Sequence, residues 1–332
     1  MSADAPPPDL LATAPLFAAL DDTDRADLAA GFERRDYPDG AVMIQQMAVA
    51  DGLYLIEAGQ VSIAKALPGG GTVPVAGAGP GAIVGEMALI GLNARRTANA
   101  VARGDVRAWF LSATQVHAAL NRLSPASLAL LRTLGQTLAE RVEAKTGEIL
   151  ARLSASPKLF TPRPAADPMP ARDDTFAVAD FLAKLPALAG LDATERHGVF
   201  ASGDIVAVPR GTVLARQGDP ADRLWLVVRG AVRGCANHAG GLYQFEVLGP
   251  GRLAGAGPAI RRAEHPAHLT AVEESMLVAF DADRFVGLWA GADQLASRLA
   301  QAVNADLARS LDTLGQADAR IAAMLRDRAL AA

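Results

Sequence analysis

The stretch Gly85–Ala102, GEMALIGLNARRTANAVA, decides how the chain is read. It follows the loop AGAGPGAIV and leads into a short helical turn, so backbone N–H groups near Gly85, Met87 and Ala88 are free to point at an anion. Arg96 follows after a short spacer, with the hydroxyl of Thr97 beside it. A guanidinium donates planar, charge-assisted hydrogen bonds to phosphate oxygens, whereas a carboxylate such as Glu86 only accepts and so suits a ribose hydroxyl. Together these residues describe a ribose and a phosphate held side by side. A slip of the loop by one residue would put Arg95 in the place of Arg96.

Outward from this stretch, Arg34 to Leu111 reads as short β-type runs, AVMI, LYLIEA, QVSIAKA, TVPVAGA and VRAWFL, parted by Gly, Pro and Asp. Strands at this spacing predict an all-β roll or barrel, interrupted by the Gly85 stretch. The glycines Gly69–Gly71 lie between two such runs with no following helix or lysine, and so read as a hairpin loop and not as a phosphate loop. Upstream, Leu16–Phe32 has helical spacing with Asp21-Asp22-Thr23 as N-cap chemistry, and Ser2–Leu10 is proline-rich, an expected mobile N-terminus.

Gly85-Glu86, the apolar Met87-Ala88-Leu89, the spacer and Arg96-Thr97-Ala98 resemble the phosphate-binding cassette of the cyclic-nucleotide-binding domain family. That family is shared by bacterial catabolite-activator-type regulators, cyclic-nucleotide-dependent kinases and gated channels. Tyr37–Ile63 resembles the first strands of its β-roll, with Gly40 and Gly59 where the roll turns. The resemblance implies a mostly β fold with flanking helices (α+β), a jelly-roll-like β-roll closed by a C-terminal helix. It also implies cyclic AMP, or cyclic GMP, as ligand at Gly85, Glu86, Met87, Ala88, Arg96, Thr97 and Ala98, with a base contact from the long helix, where Lys145 and Thr146 lie. Thr97 is compatible with either nucleotide, and the bacterial look of the sequence favours cyclic AMP. The spacer lacks the proline common in eukaryotic cassettes, and its length resembles the bacterial activators.

The second half of the chain repeats the first. Gly40 and Gly211, and Gly59 and Gly230, stand 171 residues apart with similar neighbours, PDGAVMI against PRGTVLA and LYLIEAGQV against LWLVVRGAV. GPG at Gly79 recurs at Gly249, LDDTDR at Leu20 recurs as LDATER at Leu191, and TLAERVEA after Gln136 recurs as DLARSLDT after Ala305. A repeat of this length means two copies of one domain. The expected layout is a disordered 1–10, a first nucleotide-binding domain over 11–154, a proline-rich linker over 155–173, and a second, degenerate domain over 174–332.

Degeneracy is read in LAGAGPAIRRAEHPAHLTAVEE, where Ala256 holds the position of Glu86, and His265 or a close neighbour that of Arg96. Losing the charge partner of a buried phosphate costs about 2–5 kcal/mol, and losing the acceptor for a ribose hydroxyl costs about 1–3 more. Arg261 and Arg262 read as solvated, and His265 and His268 lack a third metal ligand nearby. The repeat also assigns LARSLDTLGQADARIAAML to the closing helix of the second copy. Its mixture of Asp306, Asp312 and Asp318 with arginines does not form the basic face of a DNA reader.

With a net charge of −4, a single cysteine, Cys235, and a start that lacks a secretory signal, the chain is expected to be cytoplasmic, without a membrane span and without direct nucleic-acid binding. None of the nucleophile, phosphate-loop or metal-hydrolase motifs is present, so no enzyme and no metal are expected. Output would then pass to a protein effector. The apolar repeat Leu128, Leu131, Leu138, Val142, Ile149 and Leu153 in the helix over 124–153 admits two readings, a homodimer seam or a stripe packed on the β-roll. Alternative functions are a ligand-independent scaffold, or a transcriptional regulator working through a DNA-binding partner.

Overall fold

Alternation of apolar and polar residues along the long strands gives each roll one face turned inward and one turned to the helices. The computed structural model describes residues 5–18, 20–66, 71–86, 95–154, 171–172, 191–238 and 241–331. The chain divides into two compact units, Met1–Leu134 and Gly135–Ala332.

In the first unit, helices α1 (Pro8–Thr13) and α2 (Asp22–Ala29) precede strands β1 (Glu33–Tyr37), β2 (Val42–Ile44), β3 (Gly52–Ala66), β4 (Thr72–Ala78), β5 (Ile83–Val84) and β6 (Asn99–Ser112). The sheet runs β1-β6-β3-β4, with β2 on β6 and β5 on β3, all antiparallel, and it is not a closed barrel. Tyr54, Ile56, Val106, Ala108 and Phe110 point into the roll. Their neighbours Leu53 and Leu111 face the other way, toward Leu16, Phe17, Leu130 and Leu134. Gly40 and Gly59 have positive φ, as the turns require, and so do Gly211 and Gly230 in the second copy. Ala66 pairs with Thr72 across the Gly-rich hairpin, whose tip lies outside the described residues.

Two sequence expectations change at the N-terminus. Residues Pro8–Leu10, expected to be mobile, form the first turn of α1, where a proline at the start costs no hydrogen bond and Leu11 is buried. The helix expected over Leu16–Phe32 is only α2, capped by Asp21, whose side chain accepts from Asp24 N at 2.8 Å.

After β6, the capping box of Ser112 and Gln115 starts α3 (Ala113–Leu120), and α4 (Pro125–Ser154) follows. The boundary between the compact units falls inside α4, after Leu134. Leu128, Leu131, Leu138, Ile149 and Leu153 are all buried within the single chain, and Val142 is half-buried.

The second unit repeats the order with its long strands broken in two. Strand β7 (Ala171–Arg172), at the end of the expected linker, pairs with β8 (Gly203–Val208). The rest of the linker, 155–170 and 173, lies outside the described residues. Helix α5 (Ala193–Phe200), capped by Asp192, leads into β8, β9 (Val213–Ala215), β10 (Arg223–Arg229), β11 (Val232–His238), β12 (Gly241–Leu248) and β13 (Leu253–Ala254). Then come α6 (Ala256–Arg261), β14 (His268–Ala271), β15 (Ser275–Asp281), α7 (Ala282–Trp289) and α8 (Gln294–Ala331). The strands form two sheets, β13-β10-β15-β8-β7 and β12-β11-β14-β9. The counterpart of β3 is β10 with β11, and that of β6 is β14 with β15.

Candidate functional site

Arg96 is placed by backbone first. Its N–H donates to Ala48 O at 2.9 Å, and its carbonyl accepts from Met47 N at 2.8 Å, which closes the loop between β5 and β6 onto the loop between β2 and β3. The guanidinium is 3% exposed. Nη1 donates to Gly85 O at 2.9 Å, and Nη2 donates both to Asp51 Oδ1 and to Gly52 O, each at 2.5 Å. The Nε hydrogen and the second Nη1 hydrogen lie outside these bonds. A buried cation with donors to give, set against the cassette backbone, is the electrostatic arrangement that an anionic ligand needs.

Gly85 is required by that contact. Its φ is +93°, and a Cβ there would lie 2.4 Å from Arg96 Nη1 and 2.9 Å from Ile44 Cδ1. Glu86, in a helical turn directly after it, is buried and borders an apolar hollow with Phe17, Leu53, Leu111, Val116 and Leu130. Thr97 and Ala98 follow Arg96 and are half-buried. Met87 and Ala88 lie outside the described residues. Between the two arginines the geometry distinguishes clearly: Arg95 is exposed and donates to Met47 O at 2.8 Å, while Arg96 is the buried one.

Thr146, expected as a base contact, belongs to the second compact unit, where it is buried and its hydroxyl donates to Val142 O at 2.8 Å. Lys145 pairs with Glu148 and lies 3.6 Å from Asp318.

Sequence reading missed Asp51. The signal was present, because Ala50-Asp51 before LYL recurs as Ala221-Asp222 before LWL. It also missed the polar interior of the first roll, where Tyr37 and Tyr54 share a hydrogen bond of 3.2 Å and Arg35 stacks on Phe110 with its Cζ 3.5 Å from the ring centroid. Burial, with the Tyr37 bond, pushes the Tyr54 phenol up, so that it stays neutral.

The second cassette keeps the backbone and changes the chemistry. His265 N donates to Asp219 O at 2.8 Å, and His265 O accepts from Gly218 N at 2.9 Å, the same pair of bonds that Arg96 makes with Ala48 and Met47. His265 is therefore the residue at the Arg96 position. It is buried, its ring centroid stands 6.2 Å from that of Trp225, and burial lowers its pKa against the opposing pull of Asp219 and Asp222. A neutral imidazole there offers no charge to a phosphate. His268 takes over the role of Asn99: Asn99 Oδ1 accepts from Gln46 N at 2.8 Å, and His268 Nδ1 from Gln217 N at 3.2 Å. Among the described residues no group of three or more His, Cys, Asp or Glu could hold a metal ion, and no helix is long and apolar enough to cross a membrane.

No curated protein matches the sequence. Among solved structures, the chain is similar to the regulatory domain of Toxoplasma gondii PKA crystallised with cAMP, at 18% identity over 84% of this chain and 88% of that one, with a TM-score of 0.33. It is also similar to the N-terminal domain of a transcriptional regulator from Streptomyces coelicolor A3(2), at 30% identity over 40% of this chain and 94% of that one, with a TM-score of 0.36. A third is the sensor domain of the transcriptional regulator DNR from Pseudomonas aeruginosa, at 23% identity over 40% and 89%, with a TM-score of 0.36. The model of the cyclic nucleotide-binding domain matches residues 34–122 and 205–291, the two rolls as the repeat divides them. With both rolls matched, more than half of its length, the chain belongs to the cyclic nucleotide-binding domain family, as two tandem copies.

Proposed function

We propose that the chain is a cyclic-nucleotide sensor that takes one nucleotide, cyclic AMP in preference to cyclic GMP, in the first roll. It passes the bound state to a protein effector in the cytoplasm, without catalysis of its own. The phosphate would meet Arg96, Thr97 and the backbone at Gly85, Met87, Ala88 and Ala98. The ribose would meet Glu86, and α4 would supply the base contact at Thr146. The observation that carries this reading is the contrast between the cassettes: a buried arginine against Gly85 in one, a neutral histidine at the same backbone position in the other.

Isothermal titration of the nucleotide-free chain with cyclic AMP and with cyclic GMP tests it, alongside Arg96→Lys and Thr97→Ala. One site per chain, weakened about 10-fold or more by either substitution, is the expected result, since each removes a charge-assisted bond. The competing reading is a ligand-independent scaffold, and it is favoured by the ion pair of Arg96 with Asp51, which gives the guanidinium a partner within the chain. No heat with either nucleotide, with Arg96→Lys still lowering the melting temperature, would establish the scaffold.

A further inference from the structure

The second half of α4 is bound by the second roll. Ile149 and Leu153 are buried against Ala236, Phe245 and Ala267 of that roll and against Leu314 and Ile321 of α8. The apolar contact is flanked by charge: Arg152 Nε lies 2.8 Å, and Lys145 Nζ 3.6 Å, from Asp318. The old cassette helix takes part as well. Arg261, at the end of α6, stands 3.4 Å from Glu143 and 3.7 Å from Glu140, so the anions it meets are carboxylates of α4. A Cβ on Gly135 would lie 2.6 Å from Asn304 Oδ1, so a larger residue there would have to displace the Asn304 side chain where α4 meets α8.

Within this unit α8 is pinned to the roll by the buried bond of Arg252 to Asp306. Pro125 and Gln294 open the two helices at matching positions, which aligns Lys145 with Leu314 and Arg152 with Ile321. In the second copy those positions are apolar and cover Phe245, which is 5% exposed. In the first copy they are cations bound to Asp318.

We propose that the second roll has exchanged phosphate recognition for helix recognition, with residues 138–153 of α4 as its resident ligand, and that nucleotide in the first roll competes for this segment. The proposal rests on the sensor reading. A nucleotide that recruits α4 must draw Lys145 and Arg152 off Asp318, while the Thr146 hydroxyl, which donates to Val142 O, can still accept from the base. Docking and nucleotide binding are then linked with negative sign, and weakening one must strengthen the other.

The test uses the full chain with Leu153→Asp and, as a milder change on the receptor side, Asp318→Asn. Hydrogen exchange over 138–153 without nucleotide reads docking, and titration with cyclic AMP reads affinity. Exchange faster by about tenfold, with cyclic AMP bound more tightly by a factor inside the usual coupling range of about 5–150, is the expected result in each variant that folds. Faster exchange with affinity unchanged or weakened overturns the competition, and exchange unchanged in both variants overturns the receptor. Absence of cyclic AMP binding in the wild type removes the sensor reading and this one together, whereas binding with unmoved affinity removes only this one.

Discussion

Arg252 Nε donates to Asp306 Oδ1 at 2.6 Å, and the carboxylate it meets is 1% exposed. Its Nη2 donates to Ser310 Oγ at 2.7 Å and to Glu246 Oε1 at 3.1 Å, while Leu253 N donates to Asp306 Oδ2 at 3.2 Å. One cation thus ties the closing helix α8 to the roll through two buried acids. Removing one partner of such a pair leaves an uncompensated buried charge and costs about 3–5 kcal/mol. Arg252→Met is expected to lose stability on that scale in urea unfolding. Arg252→Met combined with Asp306→Leu is expected to lose less, because one of the two stranded carboxylates is gone while Glu246 remains.

Burial raises the pKa of Glu246 and of Asp306, in each case against the pull of Arg252. A carboxyl whose folded pKa lies above its unfolded value binds more protons when folded, so its contribution to stability is present below the ordinary range near pH 4 and is lost as pH rises through the folded value. Glu246→Gln mimics the protonated form. Unfolding free energies compared at pH 4, 5.5 and 7 should therefore move in favour of the variant as pH rises, and a difference independent of pH would refute the assignment.

His265 has the opposite dependence. Its pKa is lowered by burial beside Trp225, so its contribution is present above the unfolded value of about 6.5 and is lost as pH falls through the folded value. His265→Gln should flatten the acid limb of the stability profile below about pH 6.5 and leave the profile above it unchanged.

Gly85→Ala forces a side chain into positive φ and into the guanidinium of Arg96. A cost of about 1–3 kcal/mol is expected from the backbone alone. Nucleotide binding should fall by at least about tenfold, because the arginine cannot keep its contact with Gly85 O. Thermal melting and titration of the same preparation check both.

The repeat made the architecture legible. Glycines at Gly40, Gly59, Gly211 and Gly230 are needed wherever the backbone takes positive φ, and they mark the same turns in both copies without reference to any contact. Gly85 and Arg96 were legible for the same reason, since cassette chemistry is local in sequence. Asp51 was not, because its bond to Arg96 joins residues 45 apart and depends on how two loops meet. Arg252 with Asp306, 54 residues apart, could be read only as two surface charges. The degeneracy of the second cassette was clear from Ala256, but the choice of His265 over its neighbours needed the backbone bonds to Asp219 and Gly218.

Helix α4 shows where sequence stops. Its helical period follows from the spacing of Leu128 to Leu153 and from the capacity of these residues to bury one stripe. Period alone does not say which surface the stripe meets, because burial of apolar area is non-directional. The sequence by itself determined two β-rolls, one cassette with its arginine and one without. Only the tertiary structure decided that Ile149 and Leu153 are covered by the second roll, and that Asp318 is the acid that holds Lys145 and Arg152 there. The reason is physical: strand, turn and cassette preferences act within a few residues, whereas the partner of an amphipathic helix is chosen by shape and charge on elements far along the chain.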